Sequence, residues 1–332
     1  MSSSSAFDFD SLEPGLAADL ARGLIETEEL LAASIVSKYP FVTEASEHLV
    51  LAGGKRFRPL FTLLAAQLGD PRHPHVVQAA VAVELTHVAT LYHDDVMDEA
   101  SLRRGASSAN SRYGNSVAIL TGDFLFAKSS QLLADLGPEA VRIQALCFER
   151  LCTGQILETV GPQLGMNPVE HHIQVIADKT ASLIATSGRL GSLVAGADRD
   201  TIELMTTFGE QIGIAFQLAD DLVDITSESM QSGKTPGTDL REGVPTLAGL
   251  YAMGSNDPAD AELIELLSRP LEDDEEHARA LKLLRHHEGI ELARNEAQRW
   301  AELARDTIAP LPPSPAKDAL NNLADYVVTR TG

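Results

Sequence analysis

The feature that most constrains this chain is an Asp-Asp-x-x-Asp cluster that closes an apolar, helix-friendly run, and it occurs twice. The first copy is Asp94-Asp95-Val96-Met97-Asp98. The second is Asp220-Asp221-Leu222-Val223-Asp224, directly after Phe216-Gln217-Leu218-Ala219. At about 100° per residue the first and last aspartates of each cluster share one helix face, and His87 falls within about 20° of Asp94. Like charges so placed cost a helix a few tenths of a kcal/mol, so a cation has to neutralise them. Hard carboxylate oxygens suit Mg²⁺, which takes one or two carboxylates together with substrate phosphates. One such cluster alone reads equally well as a solvated acidic face before a basic helix end. Two copies, each ending a hydrophobic helix, are far rarer by chance. Facing each other, such helices would make an acidic cage for several Mg²⁺ ions and one polyphosphate.

Positive charge is gathered just as locally. Gly53-Gly54 breaks a helix ending near Leu51, and Lys55, Arg56 and Arg58 then precede Pro59, which suits the first position of the next helix. Basic side chains at a helix N-terminus add to its free N–H groups and dipole and make an anion site. Arg103-Arg104-Gly105 follows the first aspartate cluster. The formal net charge of -22 argues against a nucleic-acid partner and against docking on anionic lipid. It would also repel a diphosphate, unless Mg²⁺ and these local cations reverse the sign at the site.

Aromatic residues are only 5% of the chain while Ala and Leu recur throughout, which favours helices over strands. No run has strand alternation. Helices are expected over 12–38 (a pair or one long broken helix), 76–98, 116–136 (buried), 141–160, 177–195, 201–225, 289–308 and from 316. Gly188, Gly191 and Gly196 imply close helix approach, and Gly154 with Gln155 faces a packing site or cavity. Residues 1–12 are Ser-rich and expected to be disordered. Residues 226–245 are punctuated by Gly and Pro, too long for a turn, and read as a lid in which Asp239 and Arg241 pair. Glu272–Glu276 reads as a solvated face, as do Glu26, Glu28 and Glu29, and His171-His172 as a solvated helix start. Cys147 and Cys152 read as reduced thiols of a cytoplasmic protein. No signal peptide is seen, and no run of about 18 apolar residues implies stable membrane insertion.

Taken together, the sequence resembles the trans-isoprenyl diphosphate synthases of the polyprenyl synthetase family. The match is collinear from Gly53 to about Thr246. It rests on Gly53-Gly-Lys-Arg-Phe-Arg-Pro59, both aspartate clusters with Arg103-Arg104-Gly105, Lys179-Thr180, Phe216-Gln217, and the stretch from Gly233-Lys234-Thr-Pro-Gly to Gly243. The resemblance implies an all-α fold, a single domain over 1–332 built as a large antiparallel helical bundle around a deep central cavity. It implies head-to-tail condensation of isopentenyl diphosphate with an allylic diphosphate, and about three Mg²⁺ ions per active site held by Asp94, Asp95, Asp98, Asp220, Asp221 and Asp224. Lys55, Arg58, His87 and Arg104 are implied to hold isopentenyl diphosphate, and Arg103, Lys179 and Lys234 the allylic diphosphate. Thr180 and Gln217, with Lys179, are implied to flank the developing allylic cation in a pocket that keeps water out. His93 reads as packing. A homodimer is implied, with the N-terminal helices joining the subunit contact.

Family members with short products carry bulky aromatics four and five positions before the first aspartate. Here those positions are Thr90 and Ala89, both small. With ~5 Å of extended chain per isoprene unit, about one helical turn, an open floor at this level implies a product of about C30 to C50. Two departures from the farnesyl synthases, no lysine where Gly243 falls and no basic C-terminal tail, also favour the long-chain branch. Rival readings are a geranylgeranyl or farnesyl diphosphate synthase, a class I terpene cyclase, and a non-catalytic partner subunit. The intact second cluster and the Gly-Gly-Lys-x-x-Arg site argue against a cyclase, and all six aspartates argue against a non-catalytic subunit.

Overall fold

The low aromatic and high Ala and Leu content is realised as helices almost throughout. A computed structural model of the protein describes residues 9–227 and 236–329. In chain order the helices are α1 (Pro14–Ser34), α2 (Pro40–Val50), α3 (Phe57–Ala66), α4 (His75–Met97), α5 (Ala109–Tyr113), α6 (Asn115–Leu136), α7 (Pro138–Val160) and α8 (Pro168–Ile176). A π turn at Ala177–Ala181 leads into α9 (Ser182–Val194). Then come α10 (Arg199–Thr226), α11 (Thr238–Glu242), α12 (Leu247–Met253), α13 (Ala261–Leu267), α14 (Asp274–Arg285), α15 (Gly289–Ile308) and α16 (Pro315–Thr329). The all-α expectation holds. One exception is a two-residue hairpin in which Leu102 and Arg103 pair with Ser107 and Ala106, too short to leave a trace in hydrophobic alternation.

The chain forms two compact units. The first comprises residues 1–148, 183–209 and 310–320. Its centre is α4, whose apolar residues from Val76 to Tyr92 are buried on every side, as a core helix requires. The single helix α1 turns one stripe inward: Leu16, Leu20, Gly23, Thr27 and Leu31. Gly191 of α9 lies on α3 so closely that a Cβ there would stand 2.2 Å from the Thr62 carbonyl oxygen. Gly196 differs from the expectation, since its φ of +75° serves a turn with nothing packed on it. Helix α6 is not buried as expected. Its outer face shows Ile119 and Leu120 to solvent, and the neighbouring stretch of α7 shows Val141, Leu146 and Phe148.

The second unit comprises residues 149–182, 210–309 and 321–332. Its core joins Leu218, Leu222 and Ile225 of α10 to Leu247, Ala248 and Ala252 of α12, Leu281 and Leu284 of α14, and Ala293 and Ala297 of α15. The acidic stretch at Glu272–Glu276 is more than a solvated face. Asp273 caps α14 by accepting from the Glu275 and Glu276 amides at 2.9 and 3.0 Å. Arg241 pairs with Asp274 at 2.6 Å, not with Asp239. No helix among the described residues is long and apolar enough to cross a membrane.

Candidate active site

In the first unit the site grows from the C-terminal end of α4. Consecutive aspartates point to different sides there, because successive helical residues are about 100° apart. Asp95 is fully buried. Its Oδ1 accepts from Arg103 Nε at 2.7 Å and its Oδ2 from the Ala109 amide at 3.0 Å. Asp94 is half-buried and Asp98, at the cap of α4, is exposed. The Asp95 carboxylate therefore ties down the hairpin.

The hairpin presents Arg103 and Arg104 at its turn. Arg104 has a left-handed φ of 53°. Its guanidinium donates to the Leu49 carbonyl at 3.2 Å and also to the Gly53 carbonyl. It lies against Gly54, where a Cβ would stand 3.0 Å from Arg104 Nη2. Gly53-Gly54 thus breaks α2 from α3 and also makes room for a guanidinium. Helix α3 begins at Phe57, so Pro59 occupies its third position and not the first. That is still a first-turn site, where the missing N–H costs nothing.

Arg56, read from sequence as one of the basic side chains of the anion site, anchors this loop through ion pairs. It is left-handed at φ 48°, pairs with the buried Glu84 of α4 at 2.8 Å, and bonds Glu28 of α1 and the Val50 carbonyl. Glu28, expected on a wet face, is one of its partners. The only sequence signal was a glutamate, Glu84, inside an apolar run. Arg58 is half-buried and Lys55 exposed. His87 sits among these cations. Burial, then the charges of Arg58, Arg104, Arg56 and Arg103, hold its imidazole well below the usual histidine range. His87 is therefore a neutral hydrogen-bonding group inside a cluster of four guanidiniums.

Four and five residues before Asp94, Thr90 is half-buried and bonds the His87 carbonyl at 2.7 Å. Ala89 is fully buried in a cluster with Ala118 and Leu125 of α6. Tyr92 points elsewhere: its hydroxyl donates to the Ala45 carbonyl of α2 at 2.5 Å, and burial pushes its ionisation up. His93 packs on α6, 3.1 Å from the Ile119 carbonyl, as expected.

In the second unit the site is a chain of polar contacts between the π turn and α10. Thr180 Oγ1 donates to Gln217 Oε1 at 3.1 Å, and Gln217 Nε2 donates to Asp221 Oδ1 at 2.8 Å. Lys179 pairs with Glu158 of α7. His172, read from sequence as solvated, has its Nε2 3.7 Å from Asp221 Oδ2, and its neighbour His171 is buried. Asp224 Oδ2 accepts from the Asp239 amide at 3.4 Å. Arg285 closes the end of α10 by donating to the Ile225 and Ser227 carbonyls at 2.7 and 2.8 Å. Asp220 is half-buried. Lys234 and much of the expected lid lie outside the described residues.

Among the described residues no three His, Cys, Asp or Glu side chains stand together as a ready-made metal cage. This donor set still fits Mg²⁺, which keeps several waters and uses only one or two carboxylates with substrate phosphates.

Residues 39–284 match the polyprenyl synthetase family model. The chain is 47% identical to the nonaprenyl diphosphate synthase of Mycobacterium tuberculosis, over 95% of each chain. It is similar to the crystal structure of geranylgeranyl pyrophosphate synthase from Corynebacterium glutamicum complexed with calcium and isoprenyl diphosphate. That likeness has 46% identity and a TM-score of 0.87, covering 96% of this chain and 98% of that one. The decaprenyl diphosphate synthase of Rhodobacter capsulatus is 34% identical with a TM-score of 0.88, covering 98% of this chain and 100% of that one. With a family model over most of its length and close relatives end to end, the chain belongs to the polyprenyl synthetase family.

Proposed function

We propose that this protein condenses isopentenyl diphosphate head-to-tail with an allylic diphosphate, using Mg²⁺, to make a long-chain all-trans polyprenyl diphosphate. The observation that carries the reading is the gathering of Arg56, Arg58, Arg103 and Arg104 around a neutral His87, on the helix that ends in Asp94 and Asp98. Glu28, Glu84 and Asp95 partly neutralise Arg56 and Arg103, yet four guanidiniums gathered in a chain of net charge -22 support a strongly anionic ligand.

Asp94, Asp98 and Asp220 are the proposed principal metal ligands. Asp95 and Asp221, already bonded within the protein, orient Arg103 and Gln217. Bound Mg²⁺, about three ions per site on the family pattern, would neutralise charge on the departing diphosphate. The chain's own residues do the rest. Lys55, Arg58, His87 and Arg104 hold isopentenyl diphosphate with its double bond toward the allylic carbon. Arg103, Lys179 and Lys234 hold the allylic diphosphate. The Thr180–Gln217 pair turns oxygen dipoles on the developing cation.

Small residues at Ala89 and Thr90 support a product of about C30 to C50, at ~5 Å per unit. The nonaprenyl and decaprenyl synthases among its relatives are in line with that length; the geranylgeranyl synthase favours the second reading, a C20 product. Incubating the purified protein with isopentenyl diphosphate, an allylic primer and Mg²⁺, and sizing the product by mass spectrometry, decides between them. A product ending at C15 or C20 sinks the long-chain reading. Absence of any condensation sinks the synthase reading.

A homodimer fits the exposed apolar side chains of α6 and α7, Ile119, Leu120, Val141, Leu146 and Phe148. In α1, Leu16, Leu20 and Leu31 are buried within their own unit, while Ile25 is exposed and available to the contact proposed for the N-terminal helices.

A further inference from the structure

The segment that carries Lys179 and Thr180 is a π turn, Ala177–Ala181, set between α8 and α9. Its wide bond runs from the Ser182 amide to the Ala177 carbonyl, five residues back. A π turn holds one residue more than the α-helix around it and is uncommon outside functional sites. Relaxing it to α geometry would rotate one flank by about 100° relative to the other. Something has to hold it.

Helix α7 grips it at two points one turn apart. At Gly154 the two backbones nearly touch, since a Cβ there would stand 2.5 Å from the Lys179 amide nitrogen and 3.0 Å from the Asp178 carbonyl carbon. At Arg150 the grip is ionic. Arg150 Nε donates to Asp178 Oδ1 at 2.7 Å, and Nη2 donates to the Ala177 carbonyl at 3.1 Å. The same guanidinium forks onto Glu210 of α10, at 2.8 and 3.4 Å. Asp178 is buried, and its other oxygen accepts from Gln174 Nε2 at 2.7 Å. The carbonyl that accepts the wide bond thus has a second donor, and the next residue's carboxylate is held from both sides. A fork of this kind needs arginine, because lysine offers a point charge and no plane.

We infer that Arg150 is a positioning residue for the allylic half of the reaction: with Asp178, Glu210 and the gap at Gly154, it locks the π turn so that Lys179 and Thr180 stay aimed. The inference rests on the functional reading above, which assigns those two residues to the allylic substrate. Arg150 itself touches no reacting group.

The test is a kinetic split in the full-length enzyme. Arg150→Met is expected to lower kcat/KM for the allylic diphosphate about 10- to 100-fold, the scale set by misplacing a catalytic group by ~1 Å. KM for isopentenyl diphosphate should stay within about twofold, because no residue of the clamp is among its proposed ligands Lys55, Arg58, His87 and Arg104. Gly154→Ala attacks the same turn from the other contact and should give the same split. Circular dichroism checks that each variant folds. If Arg150→Met does not fold, Arg150→Lys, which keeps the charge and loses the fork, is judged by the same split. Unchanged kinetics in a folded variant, or equal losses for both substrates, overturn the inference and leave the synthase reading intact. Failure of the wild-type protein to condense the substrates overturns both.

Discussion

Asp94 and Asp95 are chain neighbours with different fates. Asp95 is bonded at both oxygens and fully buried, while Asp94 on the same helix end is half-buried. Asp94→Ala and Asp220→Ala should each cut turnover by orders of magnitude at unchanged thermal midpoint, and excess chelator should abolish it; near-normal rates in either case would refute the metal assignment. Asp95→Ala should instead lower both stability and activity, since it frees Arg103 and leaves a buried amide without an acceptor. Glu84 poses the same question for the cation cluster. Glu84→Gln leaves Arg56 short of a buried partner and should cost about 3 kcal/mol, read as a lower denaturation midpoint. Lys55→Ala and Arg58→Ala should raise KM for isopentenyl diphosphate more than for the allylic primer, and equal effects would mean the two diphosphate sites are misassigned.

His87 gives a pH prediction with a definite sign. Its folded-state pKa is depressed, by burial first and by the surrounding arginines second. Below the ordinary value of 6.5 the unfolded chain therefore binds a proton that the folded chain refuses. This contribution to stability is present above about 6.5 and is lost as pH falls below it. His87→Gln should flatten stability against pH in that window; an unchanged slope would mean that other groups set it.

At the scale of elements, the proposed control of product length lies in α4, at the residues just before its aspartates. Thr90 is half-buried, and under that proposal Thr90→Phe should shorten the product to C15 or C20 at preserved turnover. Ala89 is fully enclosed against α6. Ala89→Tyr should shorten the product only by displacing α6, and overpacking there should also cost about 1–3 kcal/mol. A shortened product from Ala89→Tyr with no loss of stability would show that the side chain escapes the α4–α6 contact. Helix ends were legible in the sequence because Pro, Gly and capping residues act locally: α15 spans Gly289–Ile308 as expected. The hairpin at Arg103 was not legible because it is only two residues per strand and is tied by a buried carboxylate, Asp95, and the π turn at Lys179 was not because it is held by Arg150, 28 residues before Asp178 in the chain.

At the scale of the whole molecule, the apolar outer faces of α6 and α7 and the heavy negative charge act against each other. Burying Leu120 and its neighbours against a second copy removes exposed apolar surface, at roughly 25 cal/mol per Å², while like net charges repel over about 8–10 Å at physiological salt. A homodimer that persists at micromolar concentration and loosens on lowering ionic strength is expected in sedimentation, with Leu120→Lys shifting it to monomer. A monomeric wild type would contradict the dimer.

The sequence by itself determined the fold class, the family resemblance and the helices that carry the candidate site residues. Those follow from periodicity, local capping and motif spacing, all of which act within a few turns of one helix. Only the tertiary structure decided that Asp95 is bonded to Arg103 and Asp221 to Gln217, that Arg56 anchors the basic loop, and that Lys179 and Thr180 sit on a clamped π turn. The physical reason is the same in each case. A buried charge or an open carbonyl must find a partner, and the partners here, Glu84 for Arg56, Arg103 for Asp95, His172 beside Asp221 and Arg150 for Asp178, are brought together by folding and are not adjacent in the chain.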